Sequence, residues 1–186
     1  MEDLSLHILD IVENSINAGA KNVTVRMIEN ARTDKMIIEI KDDGKGMNPE
    51  EIKQATDPFF TSRTTRKVGL GLSLIQEATD MANGTLVIRS TKGRGTKIAA
   101  TFQRSHIDRK PIGNIMATLM MLIVGNPDVE FRFIHKRDNE KFELDTRKMK
   151  NKIRGSNIHS ANALTVVRKH LLQYQKDFLK ENSYGI

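Results

Sequence analysis

Hydrophobic residues recur at helical spacing over residues 4–18, where Leu4, Ile8, Leu9, Ile11, Val12 and Ile16 share one face. Asn17-Ala18-Gly19 closes that helix. The period then changes to two. Val23, Val25 and Met27 alternate with polar residues, as do Met36, Ile38 and Ile40, which predicts two strands joined by the polar turn from Asn30 to Asp34. Asn48-Pro49-Glu50-Glu51 is a helix start, with a capping Asn, Pro at the first helical position and acids at the positive helix end. Residues 58–69 have no period and predict a mobile loop. Gly71 to Met81 predicts a helix ended by Asn83-Gly84. Thr85 to Ser90 and Thr96 to Phe102 predict a hairpin about Lys92-Gly93-Arg94-Gly95. Beyond Gln103 the pattern predicts a helix over 112–124, strands over 129–135 and 141–145 about a turn at Arg137 to Asn139, and a long helix over about 160–181. The two later strands either extend the first sheet or cover a site.

Composition sets the class. The chain has 186 residues, 38% hydrophobic and 28% charged, as in a folded globular protein. It contains no cysteine, which excludes disulfide frameworks, iron–sulfur clusters, zinc ribbons and thiol nucleophiles. The N-terminus is acidic and lacks the basic region of a signal peptide. The longest apolar stretch, Ile115 to Val124, falls short of the roughly 20 residues that span a bilayer. A cytoplasmic protein without a membrane span is expected. The net charge is +7, and its distribution is uneven. Residues 1–102 carry 14 basic and 14 acidic residues, whereas residues 103–186 carry 16 and 9. A neutral domain built around a site, with a basic attachment that meets an acidic partner, is the expected division.

Four groups of residues carry candidate chemistry. On the first helix, His7, Asp10, Asn14 and Asn17 fall within an arc of about 80°. This stripe is either a solvated face or the lining of a metal–phosphate site. In the second case the Asn14 carbonyl suits Mg²⁺, a hard cation, and Asp10 suits a water-activating role. After the second strand comes Asp42-Asp43-Gly44-Lys45-Gly46-Met47, with D-x-G-x-G spacing. It is either an ordinary turn or a place where a flat ligand approaches backbone while Asp42 accepts from an exocyclic amine. Lys67-Val68-Gly69-Leu70-Gly71-Leu72 enters a helix N-terminus, an anion-binding arrangement to which Arg63, Arg66 and Lys67 add charge and Thr61 and Ser62 add hydroxyls. Gly93-Arg94-Gly95-Thr96 reads alone as a hairpin turn.

The order of these pieces resembles the GHKL, or Bergerat-fold, ATPases over about residues 4–102. Glu13-Asn14-Ser15-Ile16-Asn17-Ala18-Gly19-Ala20 is similar to the mismatch-repair N-box. Pro58-Phe59-Phe60-Thr61 and Gly69-Leu70-Gly71-Leu72-Ser73-Leu74 look like the catalytic domain of sensor histidine kinases. The resemblance implies an α+β fold, a two-layer α/β sandwich with helices on one face of a mixed sheet. The domain would span residues 1–102, with a small basic α+β extension at 103–186. The resemblance also implies ATP and Mg²⁺ as ligands. Asn14 would hold the metal, and Asp42 would bind the adenine amino group with Gly46 and Thr96 beside it. Asn17, Ala18, Gly44, Met47, Phe60 and Leu72 would complete the nucleotide site. Residues 61–71 would form a lid, with Thr61, Ser62, Arg63, Lys67, Gly69, Leu70 and Gly71 toward the phosphates. Asp10 stands where hydrolysing members carry a glutamate, about 1.5 Å longer in reach.

The implied function is a stand-alone, histidine-kinase-like protein kinase or ATP-dependent regulatory switch. The alternatives are a slow ATPase clamp on nucleic acid or protein, and a binding module without turnover. With the resemblance starting at residue 4, no preceding helical hairpin with a phosphorylated histidine is expected. His106, His135, His159 and His170 are weak phosphoacceptor candidates, and His7 belongs to the N-box helix. The basic region is expected to meet a protein partner, an acidic one. Nucleic acid is disfavoured because the basic segment Arg147 to Arg154 has no interleaved stacking aromatics.

Overall fold

A computed structural model describes residues 3–56, 70–152 and 161–179. Its first half follows the periodicities closely. Helix α1 spans Leu4–Asn17 and is capped by Asp3, whose carboxylate accepts from the Leu6 amide at 3.0 Å. Strands β1 (Asn22–Asn30) and β2 (Lys35–Asp42) form an antiparallel hairpin. Helix α2 (Pro49–Thr56) opens with a reciprocal capping box. The Glu51 amide donates to the Asn48 side chain at 2.8 Å, and the Asn48 amide donates to the Glu51 carboxylate at 2.7 Å. Helix α3 (Leu70–Met81) leads into the hairpin of β3 (Thr85–Thr91) and β4 (Gly95–Gln103).

The later strands extend the sheet. Strand β5 (Glu130–Arg137) runs parallel to β1, and β6 (Glu140–Asp145) pairs antiparallel with β5. The result is one mixed six-stranded sheet in the order β3-β4-β2-β1-β5-β6. Alternation along the strands decides its layering. Val23, Val25, Met27, Met36, Ile38, Ile40 and Phe102 are buried on the helix side, while Thr24, Arg26, Ile37 and Glu39 on the other face stay partly exposed. Leu4, Ile8, Ile11 and Val12 of α1 and Ile75 of α3 pack onto that buried face, in one core with Phe131, Phe133, Tyr174 and the apolar helix α4 (Ile115–Gly125). The fold is the expected two-layer sandwich.

Three elements differ from the pattern in the sequence. Helix α4 starts at Ile115, three residues later than the helix expected over 112–124. The Pro111 and Ile112 carbonyls accept from the Leu4 and Ser5 amides instead, and Asn114 caps the helix by accepting from the Ala117 amide at 3.0 Å. The basic stretch after β6 is partly a short helix, α5 (Thr146–Lys152), in which Arg147, Lys148 and Lys150 are engaged. Arg147 bonds Asn22, Lys148 pairs with Glu143 and Lys150 pairs with Glu130. Helix α6 (Ala161–Tyr174) continues as a π-helical turn over Gln175–Leu179.

At the β5 end of the core lies a buried polar chain. His135, fully buried, bonds the Tyr174 hydroxyl through Nδ1 at 2.7 Å and the Glu29 carboxylate through Nε2 at 2.8 Å. Arg137 and Arg104 approach the same carboxylate at 3.5 and 3.4 Å. Burial raises the Glu29 pKa, but the His135 hydrogen bond and the two guanidiniums outweigh it and hold the group at about 2. His7 is the opposite case. It is 2% exposed, and neither ring nitrogen has a hydrogen-bond partner among the described residues. Burial pushes its pKa below 6.5, Lys110 adds to that, and Asp10 and Asp3 only partly offset it.

These shifts give separate acid transitions. A histidine with a lowered folded pKa takes up its proton first in the unfolded chain. Its contribution to stability is therefore complete above its ordinary value of 6.5 and lost as the pH falls toward the folded value. The Glu29 contribution, about 3 kcal/mol, is present above 4.5 and lost between 4.5 and about 2. His7→Leu is expected to flatten the decline of the urea midpoint just below pH 6.5 and to leave the lower decline in place. Equal slopes in wild type and His7→Leu would refute this account of His7.

Candidate functional site

The end of β2 builds the site. Asp42 is buried, and both carboxylate oxygens are engaged. Oδ1 accepts from the Gly44 amide at 2.9 Å and the Thr96 amide at 3.1 Å, and Oδ2 accepts from the Ser15 hydroxyl at 2.8 Å. A carboxylate oxygen has two acceptor positions. Oδ1 is therefore filled, and Oδ2 retains one position. The adjacent Asp43 does different work. It accepts from the Lys21 and Asn22 amides, each at 2.8 Å, and ties the loop to the start of β1. Although partial burial opposes it, those bonds and the Asn22 side chain hold the Asp43 carboxyl below its usual range.

Two glycines allow the surrounding backbones to meet. A Cβ on Gly46, at φ +63°, would lie 2.1 Å from the Thr91 carbonyl oxygen. One on Gly95, at φ +85°, would lie 2.1 Å from the Asp42 carbonyl oxygen. Both contacts are with backbone, so neither position admits a side chain without moving the chain. The Gly93 amide also donates to the Lys45 carbonyl at 2.6 Å, and the Met47 amide donates to the Ser90 hydroxyl at 2.8 Å. The β3–β4 turn is thereby fastened onto the loop after β2.

Around Asp42 opens a cleft of about 370 Å³ between α1, α2, the start of α3 and this end of the sheet. Of the residues expected at the site, Asn14, Asn17, Ala18, Asp42, Gly46, Met47, Leu72 and Thr96 line it. Gly44 stands just behind, donating to Asp42. The Asn14 side chain is half-buried and makes no hydrogen bond among the described residues. Its carboxamide oxygen is free for a ligand. Ile11, Ala55 and Ile98 supply apolar walls, with Leu72 and Met47.

The helical stripe divides on folding. Asn14 and Asn17 line the cleft, His7 is buried without a hydrogen-bond partner among the described residues, and Asp10 lies beside the first turn of α3, outside the cleft lining. A Cβ on Gly71 would come within 2.9 Å of Asp10 Oδ2. A carboxylate there also suits the positive end of α3. Leu70 is the first residue of α3. Phe60, Thr61, Ser62, Arg63, Lys67 and Gly69 lie outside the described residues, as do the rest of the expected loop over 58–69 and His159.

Sequence reasoning missed Ser15, which fixes Asp42 from α1, and the cleft residues Lys45, Glu51 and Gln54. Ser15 had a readable signal. It follows Asn14 directly and lies one turn after Ile11, at the border between polar stripe and apolar face. Among the described residues no group of three or more His, Asp or Glu side chains could hold a metal. No described helix is long and apolar enough to cross a membrane.

Known proteins are similar to this chain in sequence and in fold. Residues 2–106 match the family described as histidine kinase-, DNA gyrase B-, and HSP90-like ATPase. The sensor histidine kinase YxdK of Bacillus subtilis is 32% identical over 104 residues, covering 53% of this chain and 32% of that protein. The DNA mismatch repair protein MutL of Clostridium perfringens is 43% identical over 54 residues, covering 29% of this chain and 8% of that protein. The chain thus spans a third or less of these relatives. Among solved structures, the N-terminal domain of a DNA repair protein superposes with a TM-score of 0.60 at 15% identity, over 88% of this chain and 59% of that one. The Aquifex aeolicus MutL ATPase domain complexed with ADP gives 0.53 at 17% identity, over 93% and 70%. By the match across its first 106 residues, the chain belongs to the histidine kinase-, DNA gyrase B- and HSP90-like ATPase family.

Proposed function

We propose that this chain binds ATP with Mg²⁺ in the cleft around Asp42 and acts as a histidine-kinase-like protein kinase or ATP-dependent switch. The carrying observation is the buried Asp42 carboxylate, held by three donors with one acceptor position left at Oδ2. That position accepts from the adenine amino group, and the apolar walls from Ile11, Ile98 and Leu72 take the ring faces. Residues 1–102 form the nucleotide-binding unit in this reading. Residues 103–186 complete its sheet and present the partner-facing surface.

The donor set fits the metal. Mg²⁺ keeps several waters and takes few protein ligands beside phosphate oxygens. One free carboxamide oxygen, from Asn14, meets that demand where no carboxylate cage exists among the described residues. Bound Mg²⁺ would neutralise phosphate charge. Asn14 would hold it, and Asp42 would orient the base.

The position of Asp10 favours slow turnover. It lies against α3 rather than in the cleft wall, and its side chain is about 1.5 Å shorter than a glutamate. Misplacement of a general base by about 1 Å can lower a rate on the order of a hundredfold. A kinase or switch needs no fast water attack.

Three measurements test the reading. Wild type is expected to prefer ATP over GTP by roughly 1–3 kcal/mol, because guanine presents a carbonyl where Asp42 needs a donor. Asp42→Asn should remove most of that preference while the protein stays folded, and equal wild-type affinities for ATP and GTP would sink the site. Asn14→Ala should abolish the Mg²⁺-dependent gain in ATP affinity and spare adenosine binding. An undiminished gain in that variant would rule out Asn14 as the metal ligand. Finally, basal ATP hydrolysis should be slow and should rise in Asp10→Glu. Phosphate transfer from γ-labelled ATP to a protein in extract would select the kinase, and an ATP-driven change in oligomeric state would select the clamp.

A further inference from the structure

Helix α4 departs from the rule that the outward side of a surface helix is polar. It carries no charged side chain and one polar one, Thr118, which is buried. Ile115, Leu119, Leu122 and Ile123 turn to the core. Ala117, Met121 and Val124, at i, i+4 and i+7, form an exposed apolar stripe on the other side, with Met121 59% and Val124 41% exposed. Packing sets the place of this stripe in the helix layer. Helix α3 lies on β3 and β4 and α1 on β2, while Tyr174 of α6 touches His135 of β5 and Phe142 of β6. Helix α4 contacts both α1 and α6 and sits between them. Its neighbours widen the patch, through exposed Leu6 on α1 and exposed Leu172 on α6. His170 stacks on Phe142, away from α4, so Arg168 and Leu172 on the opposite flank of α6 border the stripe. The charges beside the patch differ in sign. Glu13 is exposed on the α1 side, and Arg168 and Lys169 are exposed on the α6 side.

We infer that this face is the interface of a homodimer, in which the α4 stripes of two copies pack together about a two-fold axis running along α4. Contiguous exposed apolar groups with a polar rim mark an association surface. A two-fold interface must be complementary to itself. The stripe meets that condition because it is uncharged, so a second copy laid on it opposes no like charges. The rim sets the direction of the axis. An axis along α4 brings Arg168 and Lys169 of each copy toward Glu13 of the other. An axis across α4 would set Arg168 against Arg168 and Glu13 against Glu13. The same rim disfavours an anionic membrane or a uniformly acidic protein, which would be attracted along α6 and repelled at Glu13.

The test is sedimentation equilibrium without nucleotide, over about 1–100 μM, so its outcome does not depend on the nucleotide reading. Wild type should dimerise, and Met121→Glu should raise the dissociation constant about tenfold or more. Glu13→Arg should weaken the dimer, and adding Arg168→Glu to it should restore most of the loss. The chain contains no cysteine, so Met121→Cys supplies one thiol per copy. Oxidation with copper phenanthroline should then link two copies, as it should for Ala117→Cys and Val124→Cys, while Lys41→Cys on the other face of the sheet should stay unlinked. Far-ultraviolet circular dichroism checks that Met121→Glu is folded, and the milder cysteine variants decide if it is not. A wild-type monomer at the highest concentration, an unchanged dissociation constant in folded Met121→Glu, or linkage no greater at the three α4 positions than at Lys41→Cys would overturn the proposal. So would a monomer that binds anionic vesicles and loses that binding in Met121→Glu.

Discussion

A carboxylate out of water has to be held by hydrogen bonds to both oxygens, and at Asp42 that demand organises the whole end of the sheet. Its donors come from three separate elements: Ser15 on α1, Gly44 in the following loop and Thr96 on β4. None is near it in sequence except Gly44. The helix, the loop and the far hairpin therefore have to converge within hydrogen-bond distance of one side chain. An unsatisfied ion there would be strongly destabilising. Gly46 and Gly95 make the convergence sterically possible, since each meets a backbone carbonyl at a distance that excludes a side chain. These contacts form the floor of the cleft, and α1 and α2 supply walls above it.

The acids of the first strands divide by environment. Asp42 and Asp43 are neighbours, yet the first ends β2 on the helix side and the second, in the loop that follows, turns to the start of β1. The first faces the cleft, and the second locks the start of β1. Glu29 lies on the same buried face of β1, toward its other end, where cations and a histidine compensate its burial. Thus the sheet carries a polar cluster near each end and an apolar middle formed by Val25, Met27, Ile38 and Ile40. The cluster around Glu29 depends on β5 and α6, since His135 and Tyr174 come from the later part of the chain. The extension is thereby part of the core.

Most of the fold was legible because its elements are strongly periodic. Helix α1 and the first four strands follow from alternation and caps, and the resemblance in motif order pointed to the two-layer arrangement. What escaped lies in pairing rather than pattern. Nothing in Glu130–Arg137 indicates that it will lie parallel to β1 instead of covering a site. The short helix α5 escaped because its sequence is nearly all polar, and its Arg147, Lys148 and Lys150 are held by Asn22, Glu143 and Glu130 from distant positions. The site was legible where a motif places backbone, as at Asp42 and Gly46. It was less so along α1, where four polar residues share one arc but meet different neighbours. Periodicity reports direction from the helix axis, and the fate of His7, Asp10 and Asn14 depends on what stands opposite each.

The parallel partnership of β1 and β5 also shapes how the chain must fold. The β1–β2 hairpin closes a short loop and can form early, whereas Asn22 meets Glu130 only after most of the chain has been made. Until then the outer edge of β1 presents a row of unpaired amides and carbonyls, next to Val23, Val25 and Met27. A strand of that composition with an open edge is a template for pairing with another chain. The later strands therefore act during synthesis as an intramolecular cover for that edge, and a chain cut after β4 would expose a sticky border along β1.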